Sequence, residues 1–272
     1  VTGVRATNAP RGSGDGWNLR YGGDVINTAI HLARAGDKVR FASAIGADPM
    51  SEDLRKAWEA EGVDTGLLIG TPGRTTGLYA IETDETGERS FHYWRGEAAA
   101  RAMFDLPESG AMVDAAAQSD LLYFSLITLA ILPDAGREAL LALCERVKAG
   151  GGRIAFDGNY RPRLWSDAAT ARAWRDRAIA LCDIGLPTLA DEVEMGEVDD
   201  AADAAARWGA GEGREIVVKL GAEGCLVGGA PVPPPARVDV VDSSGAGDAF
   251  NGGYLHARLT GAAPAEAALA GH

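Results

Sequence analysis

A glycine-rich loop that ends in an aspartate is the segment of this sequence best suited to chemistry. Residues 242–248 read DSSGAGD, follow the apolar run 238–241 and lead into a helical pattern. Small residues let successive N–H groups at a helix start converge on an anion, which the helix dipole also favours, so the loop suits a phosphate. An ionised carboxylate beside a phosphate is costly unless it accepts a proton from the attacking hydroxyl. We therefore predict that Asp248 acts as a general base.

Two structural interpretations of this loop stay open on its spacing alone. Asp248 could satisfy a helix N-terminus as a first-turn acid, and the glycines could simply permit a tight turn. A dinucleotide-binding loop fits less well, because Phe250 stands where GxGxxG needs a third small residue. A Walker A loop is excluded, because the chain contains no Gly-Lys pair.

The segments around this loop alternate between short apolar runs and Ala-rich helical patterns, which indicates a parallel sheet covered by helices. The predicted strands are 39–44, 121–124, 153–156, 183–186 and 216–220. Helical spacing covers 134–148, 167–181 and 199–208. Open α/β sheets bind ligands beyond the carboxyl ends of their strands. We therefore expect four polar loops to share one edge, namely 157–161, 188–194, 219–224 and 242–248.

One segment has the alternation of a β-hairpin instead. Residues 75–81 and 88–94 alternate in side-chain character on either side of the turn sequence DETG at 84–87. Two strands alone are marginal in water, so we expect a small sheet with residues 63–68 as a further member. This sheet could form a lid over the site, and the alternative is an ordinary edge hairpin of the main sheet.

Composition and charge narrow the class of protein. The 272 residues are 46% hydrophobic and 24% charged, which fits one domain over 1–272 with a β lid from about 63–69 and 75–95. The net charge of −13 disfavours nucleic acid and anionic membrane surfaces as partners. No stretch resembles a signal peptide or a membrane span, so we expect a cytoplasmic protein. Its three cysteines match neither a disulfide framework nor a zinc site and are expected to be packing residues, at Cys144, Cys182 and Cys225.

The loop at 242–248 resembles the C-terminal signature of the ribokinase (PfkB-type) family, in which a D-[ST]-x-G-A-G-D loop forms an anion hole and ends in the catalytic Asp. The family's N-terminal signature is matched by Gly22-Gly23-Asp24, which leads through Asn27 and Ala29 to Gly36. The resemblance implies an α/β, ribokinase-like fold with a central mostly parallel sheet flanked by helices, and a small β-sheet lid. It also implies an ATP-dependent sugar kinase that uses Mg²⁺ and a monovalent cation such as K⁺. The same resemblance implies that the protein is a homo-oligomer.

The resemblance assigns roles at the matching positions. Asp248 is the implied catalytic base, with an anion hole at Gly245, Ala246 and Gly247. Glu194 is the implied magnesium residue and acts through water. It lies in an acidic stretch that departs from the family pattern, because this chain has Ala190-Asp191 where the family usually has Asn before its pair of acids. The implied nucleotide contacts are Asn159, Tyr160, Arg161, Lys219, Leu220, Gly221, Ala222, Glu223, Gly224, Ser243, Gly245, Ala246 and Gly247.

Within the family, segments 88–101 and 157–165 most resemble the 2-keto-3-deoxygluconate kinases. A sugar acid carries a carboxylate that calls for guanidinium forks and a phenolic donor, which Arg95, Arg161 and Tyr93 supply. Arg163 is the alternative to Arg161. The expected reaction transfers the γ-phosphoryl group of MgATP to the terminal hydroxyl of 2-keto-3-deoxygluconate. The implied substrate pocket comprises Gly22, Gly23, Asp24, Val25, Ile26, Tyr79, Tyr93, Trp94, Arg95, Arg161 and Asp248.

Two other functions stay open at this point. A kinase of the same fold for a neutral sugar or nucleoside (ribokinase, fructokinase, adenosine kinase) would make no use of Arg95 or Arg161. A non-catalytic nucleotide-binding protein is the other alternative, and the intact Asp248 argues against it. Compared with the family, we also expect one more strand before the region matching Val4 and further helix after His272, and the 272 residues contain neither.

Overall fold

The computed structural model describes residues 3–8, 17–83, 89–209, 213–236 and 243–272. The strands in these ranges are β1 (Gly3–Asn8), β2 (Trp17–Gly22), β3 (Ser43–Gly46), β4 (Leu68–Thr71), β5 (Gly77–Thr83), β6 (Arg89–Trp94), β7 (Leu121–Ser125), β8 (Arg153–Asp157), β9 (Ile184–Leu186), β10 (Glu215–Lys219), β11 (Cys225–Val227) and β12 (Ala230–Val232). The α-helices are α1 (Asp24–Arg34), α2 (Pro49–Ala60), α3 (Ser109–Ala116), α4 (Leu126–Ile131), α5 (Asp134–Ala149), α6 (Ala168–Leu181), α7 (Leu189–Glu194), α8 (Ala201–Arg207), α9 (Ala246–Leu259) and α10 (Pro264–Gly271).

The main sheet has the order β12-β11-β10-β9-β8-β7. Strands β7 to β10 are parallel to one another. At one edge β11 is antiparallel to β10, and β12 is antiparallel to β11. Ser125 at the end of β7 lies opposite Asp157 at the end of β8, and Asp157 lies opposite Leu186 of β9. The polar loops after these strands therefore share one edge, and the predicted parallel α/β core is confirmed.

Helices cover both faces of this sheet, as its almost continuous apolar strands require. On one face α3 to α6 and α8 enclose a core in which the rings of Phe156 and Trp208 stack at 5.2 Å. On the other face α1, α9 and α10 pack over Ile184 and Val217. All three cysteines are buried, as predicted, and burial raises the pKa of the Cys144 and Cys182 thiols to about 12.

A second sheet has the order β2-β1-β5-β6. β5 and β6 form the predicted hairpin, with Tyr79 opposite Tyr93. β1 pairs parallel to β5 and antiparallel to β2, and the sequence patterns do not single out either β1 or β2. This four-stranded sheet leads into α1, because β2 ends at Gly22 just before the helix begins.

The expected contribution of residues 63–69 to this second sheet is wrong. In the part of the chain that the structure describes, β4 pairs parallel with β3 in a separate two-stranded sheet. Val63 is buried beside Trp58 of α2, and Asp64 exchanges backbone hydrogen bonds with Val39 and Phe41. These contacts hold the segment against α2 and away from the hairpin.

The predicted strand at 39–44 begins later than expected. Only Arg40 forms an isolated bridge, to Asp64, and regular pairing starts at Ser43. Phe41 instead packs its ring edge-on against Trp58, with ring centroids 5.4 Å apart. An apolar groove of about 560 Å³ lies between this segment and β7. In the described ranges no helix combines the length and apolarity that a membrane crossing requires.

Candidate active site

Asp248 lies in the first turn of α9, at the edge where the parallel strands end. Gly245 precedes the helix with φ 79°, a left-handed conformation that glycine adopts without strain. The Asp248 side chain is buried, with 8% of its surface exposed, and its Oδ2 accepts a hydrogen bond of 2.8 Å from Asn27 Nδ2. The adjacent Thr28 donates to the backbone carbonyl of Asp248 at 3.2 Å.

Its surroundings make Asp248 a stronger base than an ordinary aspartate. Burial raises the pKa of Asp248 to about 7, and the negative charges of Asp24 and Asp157 raise it in the same direction. The hydrogen bond from Asn27 and the charge of Lys219 oppose this rise. A carboxyl with a pKa near neutrality is matched to proton transfer at neutral pH.

The start of α9 supplies the anion-binding geometry that the sequence predicts. The first N–H groups of a helix lack carbonyl partners within the helix and sit at the positive end of its dipole. The Ala246 N–H is already used, because it donates to the Ser243 carbonyl at 3.1 Å. The N–H groups of Gly247 and Asp248 are therefore the ones from this turn best placed for an anion. Asp242, at the start of the predicted loop, lies outside the described residues.

Lys219 lies beneath this turn in a buried polar network. Its Nζ donates to Asp157 Oδ1 at 2.8 Å and to Asn251 Oδ1 at 3.2 Å. Tyr123 joins the same network, because its hydroxyl accepts from Asn251 at 3.0 Å and donates to Asp157 at 3.4 Å. A Cβ built on Gly247 would lie 3.9 Å from Lys219 Nζ, so the ammonium group adds positive charge directly below the anion turn.

The other predicted nucleotide residues follow neighbouring strands. Gly221, Ala222 and Glu223 form an exposed turn after β10, with Leu220 half-buried before it. Gly224 closes this turn at φ 96°, where a Cβ would lie 2.3 Å from the Val232 carbonyl oxygen.

On the neighbouring loop after β8, Asn159 is half-buried and Arg161 is exposed. The ring of Tyr160 belongs to the core, so only its backbone faces the loop.

Asp191 is the member of the acidic stretch that faces this edge. Its Oδ2 accepts from the Tyr160 N–H at 3.2 Å, and its Oδ1 lies 3.5 Å from Arg161 Nη1. Burial raises the pKa of Asp191 to about 6, and the Arg161 charge opposes that rise. Glu194, the predicted magnesium residue, is the last residue of the same short helix and is exposed.

The donor set at this edge fits a magnesium ion that accompanies a nucleotide. Mg²⁺ takes hard oxygen ligands, keeps several waters, and uses one or two carboxylates together with substrate phosphates. Asp191 and Asp157 are carboxylates close enough for the charge of Asp157 to raise the pKa of Asp191.

The sugar side of the site is built by the turn from β2 into α1. Gly23 precedes α1, and Asp24 is the first residue of the helix, buried and accepting a hydrogen bond from Ser125 Oγ. A Cβ built on Gly22 would lie 3.3 Å from the Tyr79 hydroxyl, so the glycine lets the lid tyrosine approach the turn.

Two arginines and two tyrosines face this turn. The Tyr79 and Tyr93 rings have centroids 6.0 Å apart, and the Arg95 guanidinium lies 4.1 Å from the centroid of the Tyr93 ring. Burial lowers the pKa of Arg95, and the nearby charge of Arg161 lowers it further while Asp24 opposes both. Arg95 and Arg161 therefore lie within electrostatic range of each other, and Asp24 lies within range of Arg95.

Three predicted substrate residues have side chains that point elsewhere. Ile26 is fully buried against Leu54 and Trp58, and Val25 packs on the same cluster, so α1 presents these two residues to the core. Trp94 follows Tyr93 at the end of β6, and successive strand residues face opposite sides of a sheet. Its side chain, 60% exposed, therefore faces away from the sugar side.

Asn27 and Ser125 are site residues that the sequence argument did not assign. Asn27 lies three positions after Asp24, on a helix whose other inward residues are mostly apolar. Asn27 is only half-buried, and its place three residues after the Gly22-Gly23-Asp24 segment is the signal that could have identified it. Ser125 begins α4 as a capping residue and reaches Asp24 as well.

Comparison with known proteins agrees with this geometry. The chain is 41% identical over 263 residues to the 2-dehydro-3-deoxygluconokinase of Escherichia coli K12, covering 93% of this chain and 85% of that protein. It superposes with a TM-score of 0.80 and 26% identity on the aminoimidazole riboside kinase of Salmonella enterica complexed with aminoimidazole riboside and an ATP analogue, covering 99% of this chain and 88% of that chain. A putative ribokinase II of E. coli, in complex with ATP and Mg²⁺, shares the fold with a TM-score of 0.82 and 23% identity over 97% of this chain and 85% of that chain.

The family model for the pfkB family carbohydrate kinases matches residues 7–272. That range includes the glycine turn before α1, the hairpin and the anion-binding start of α9. The matched range also includes Asp248, the buried aspartate that follows the GAG sequence. On this match and on the 41% identity over most of the chain, the protein belongs to the pfkB family of carbohydrate kinases.

Proposed function

We propose that this protein phosphorylates 2-keto-3-deoxygluconate with ATP on the terminal hydroxyl, giving 2-keto-3-deoxy-6-phosphogluconate and ADP. The observation that carries the substrate class is the pair Arg95 and Arg161, close enough that the charge of Arg161 lowers the pKa of Arg95. An anion that binds between two guanidinium groups stabilises the positive charge of both. The carboxylate of a sugar acid is such an anion. The name of the similar E. coli protein supports the same substrate.

The chemistry follows from the positions of Asp248 and the start of α9. The terminal hydroxyl oxygen attacks the γ-phosphorus while the Asp248 carboxylate takes its proton, and the bond from that phosphorus to the β–γ bridging oxygen breaks. The N–H groups of Gly247 and Asp248 stabilise the charge on the transferred group, with Lys219 beneath them. A bound Mg²⁺, held by Asp191 and Asp157 through water, would neutralise phosphate charge.

Replacing Asp248 by Asn tests the base. Asp248→Asn keeps the shape of the side chain and removes its ability to accept the proton, so we expect kcat to fall by roughly 10²–10⁴-fold. ADP affinity, measured by calorimetry, should change little. Asp53→Asn, on the exposed side of α2, is the matched control. Near-normal turnover in Asp248→Asn contradicts the proposed role.

A substrate panel tests the sugar class. Coupled ADP release should be fastest with 2-keto-3-deoxygluconate and much slower with ribose, fructose or adenosine. In Arg161→Met we expect KM for the sugar acid to rise by roughly tenfold or more, because a charge-assisted hydrogen bond is lost. Arg146→Met, at an exposed arginine paired with Asp114 of α3, should leave KM unchanged. A preference for a neutral compound, insensitive to Arg161→Met, would favour the neutral-sugar alternative instead.

Four further features belong to the proposal. They are a lid formed by the hairpin at 75–95, a monovalent cation such as K⁺ near the loop before α9, a homo-oligomeric state and a cytoplasmic location. Residues 237–242 lie outside the described residues, so the cation stays a prediction, and the dependence of kcat on K⁺ checks it. Light scattering of the purified protein checks the oligomeric state.

A further inference from the structure

Asn27 is the side chain that joins the sugar-binding turn to the catalytic aspartate. Its Oδ1 accepts from the Gly23 N–H at 3.4 Å, and its Nδ2 donates to Asp248 Oδ2 at 2.8 Å. An amide nitrogen only donates and an amide oxygen only accepts, so these two partners fix which way the carboxamide faces. Asn27 and Asp248 are 221 positions apart, so the contact exists only because α1 crosses α9.

Glycines of both loops lie in contact range of this carboxamide. A Cβ built on Gly22 would lie 3.7 Å from Asn27 Oδ1, and one built on Gly245 would lie 3.5 Å from Asn27 Nδ2 and 3.6 Å from Asp248 Oδ2. The sugar-binding turn and the anion-binding turn therefore close around Asn27 from two sides. The Asn27 carboxamide therefore lies between the turn that would bind the sugar and the turn that would bind the phosphate, and both turns must act together in the reaction.

We propose that Asn27 is a positioning residue that holds Oδ2 of Asp248, so that Oδ1 is the oxygen that takes the proton from the sugar hydroxyl. The proposal rests on the proposed role of Asp248 as the base. Donation from a neutral amide also favours the ionised form of the carboxyl, which is the form a base requires.

Asn27 works against several groups that favour the protonated form. The ionisable groups facing Asp248 are Asp24 from α1, Asp157 from β8, Lys219 from β10 and the Tyr123 phenol from β7. Burial and the two carboxylates raise the pKa of Asp248, whereas the hydrogen bond from Asn27 and the charge of Lys219 lower it. Loss of the Asn27 donor should therefore raise that pKa above its wild-type value of about 7.

Asn27→Leu tests this, because leucine has nearly the same shape but no donor. Thr28→Val is the matched control, since Thr28 is the next residue, is fully buried, and donates to the backbone carbonyl of Asp248 and not to its carboxylate. Carboxyl ¹³C NMR of the aspartate-labelled full chain gives the titration of Asp248, whose resonance is identified by its loss in Asp248→Asn. The dependence of kcat on pH is measured in parallel with saturating sugar acid and MgATP.

In Asn27→Leu we expect the Asp248 titration to move up by about 1–2 pH units, from the size of a hydrogen bond to a charged group. Turnover should then fall roughly tenfold at pH 7 and recover towards pH 9, because the base regains its ionised form. Thr28→Val should lower thermal stability without moving the titration.

An unchanged Asp248 titration in Asn27→Leu overturns the proposal, as does an equal shift in Thr28→Val. A loss of turnover that does not recover at high pH also overturns it, because that result reflects disrupted structure alone. The NMR titration does not depend on turnover. Failure of the proposed function, seen as normal kcat in Asp248→Asn, is therefore distinguishable from failure of the Asn27 proposal.

Discussion

Asp248 combines a chemical advantage with a cost in stability. Its pKa of about 7 in the folded chain, against 3.8 for an ordinary aspartate, means that burial favours the protonated form. Protonation of the Asp248 carboxyl therefore makes a favourable contribution to the free energy of folding. That contribution is fully present below pH 3.8 and is lost as the pH rises through 7. The proposed proton transfer requires this carboxyl, and the fold carries its cost in stability at neutral pH.

Asp248→Asn should therefore be more stable than the wild type at high pH. We expect a free energy of unfolding about 1–3 kcal/mol higher at pH 8 and almost unchanged at pH 4, because asparagine never carries the buried charge. Urea denaturation at the two pH values measures this. The exposed control Asp53→Asn should differ from the wild type by less than about 0.5 kcal/mol at both. Equal stability of Asp248→Asn and wild type at pH 8 would contradict the raised pKa.

Single residues also show what the sequence could and could not predict about the site. The buried first-turn position of Asp248 is predictable because the GAGD sequence and the following helix are local. The bond from Asn27 to Asp248 joins residues 221 positions apart, and no spacing rule predicts a contact of that range. Trp94 was assigned to the pocket with its neighbours, and the alternation of strand side chains would have separated it from Tyr93 and Arg95.

At the scale of elements, the crossing of α1 over α9 holds the base in place. Gly252 of α9 lies at this crossing, where a Cβ would be 2.4 Å from the Cβ of His31 and 3.3 Å from the Thr28 carbonyl oxygen. The absence of a side chain at Gly252 therefore permits the helix separation at which Asn27 reaches Asp248.

Gly252→Ala should push the two helices apart. We expect a loss of about 1–3 kcal/mol in the free energy of unfolding, as for other overpacked cores, together with lower kcat. Gly110→Ala in α3, where a Cβ meets nothing within 4 Å, is the control and should be neutral or slightly stabilising. Thermal unfolding and the coupled assay measure both properties. Unchanged stability of Gly252→Ala would show that the helices adjust without cost.

Arg175 of α6 forms ion pairs with α7 and with the segment after α7. Its fully buried guanidinium bonds Glu192 at 2.8 Å and Glu197 at 2.6 Å. Removing one partner of a buried pair leaves an uncompensated charge, so Arg175→Met should cost about 3–5 kcal/mol in urea unfolding. Arg146→Met breaks an exposed pair with Asp114 of nearly the same length, 2.8 Å, and should cost less than about 1 kcal/mol. Similar losses in both variants would contradict the importance of burial here.

The elements that the sequence predicted best are those whose residues are buried on both sides. Strands β7 to β10 appear as nearly continuous apolar runs, and each was placed within about two residues. The segment at 39–44 is equally apolar, but Phe41 packs on Trp58 and pairing begins only at Ser43. β1 pairs with β5, a partner far along the chain that no local pattern reveals, and β2 pairs with β1.

At the scale of the whole molecule, the net charge of −13 opposes both anionic substrates. Binding therefore depends on local positive groups, namely Lys219 beneath the anion turn, the dipole of α9, and Arg95 with Arg161 at the lid. The sequence could predict that such a concentration of positive groups must exist. It could not predict that Lys219 is buried against Asp157, since that requires β8 and β10 to lie on either side of β9.

The outward direction of Trp94 gives the lid its own fluorescent reporter. Trp58, Trp165 and Trp208 are buried and Trp174 is half-buried, whereas Trp94 is 60% exposed to water. Emission from Trp94 should be red-shifted and open to quenching by iodide. If the hairpin moves when ligands bind, sugar acid with an ATP analogue should change iodide quenching in the wild type but not in Trp94→Phe. Because this indole faces away from the sugar, substituting it should leave turnover nearly unaltered, and lid motion could then be timed apart from phosphoryl transfer.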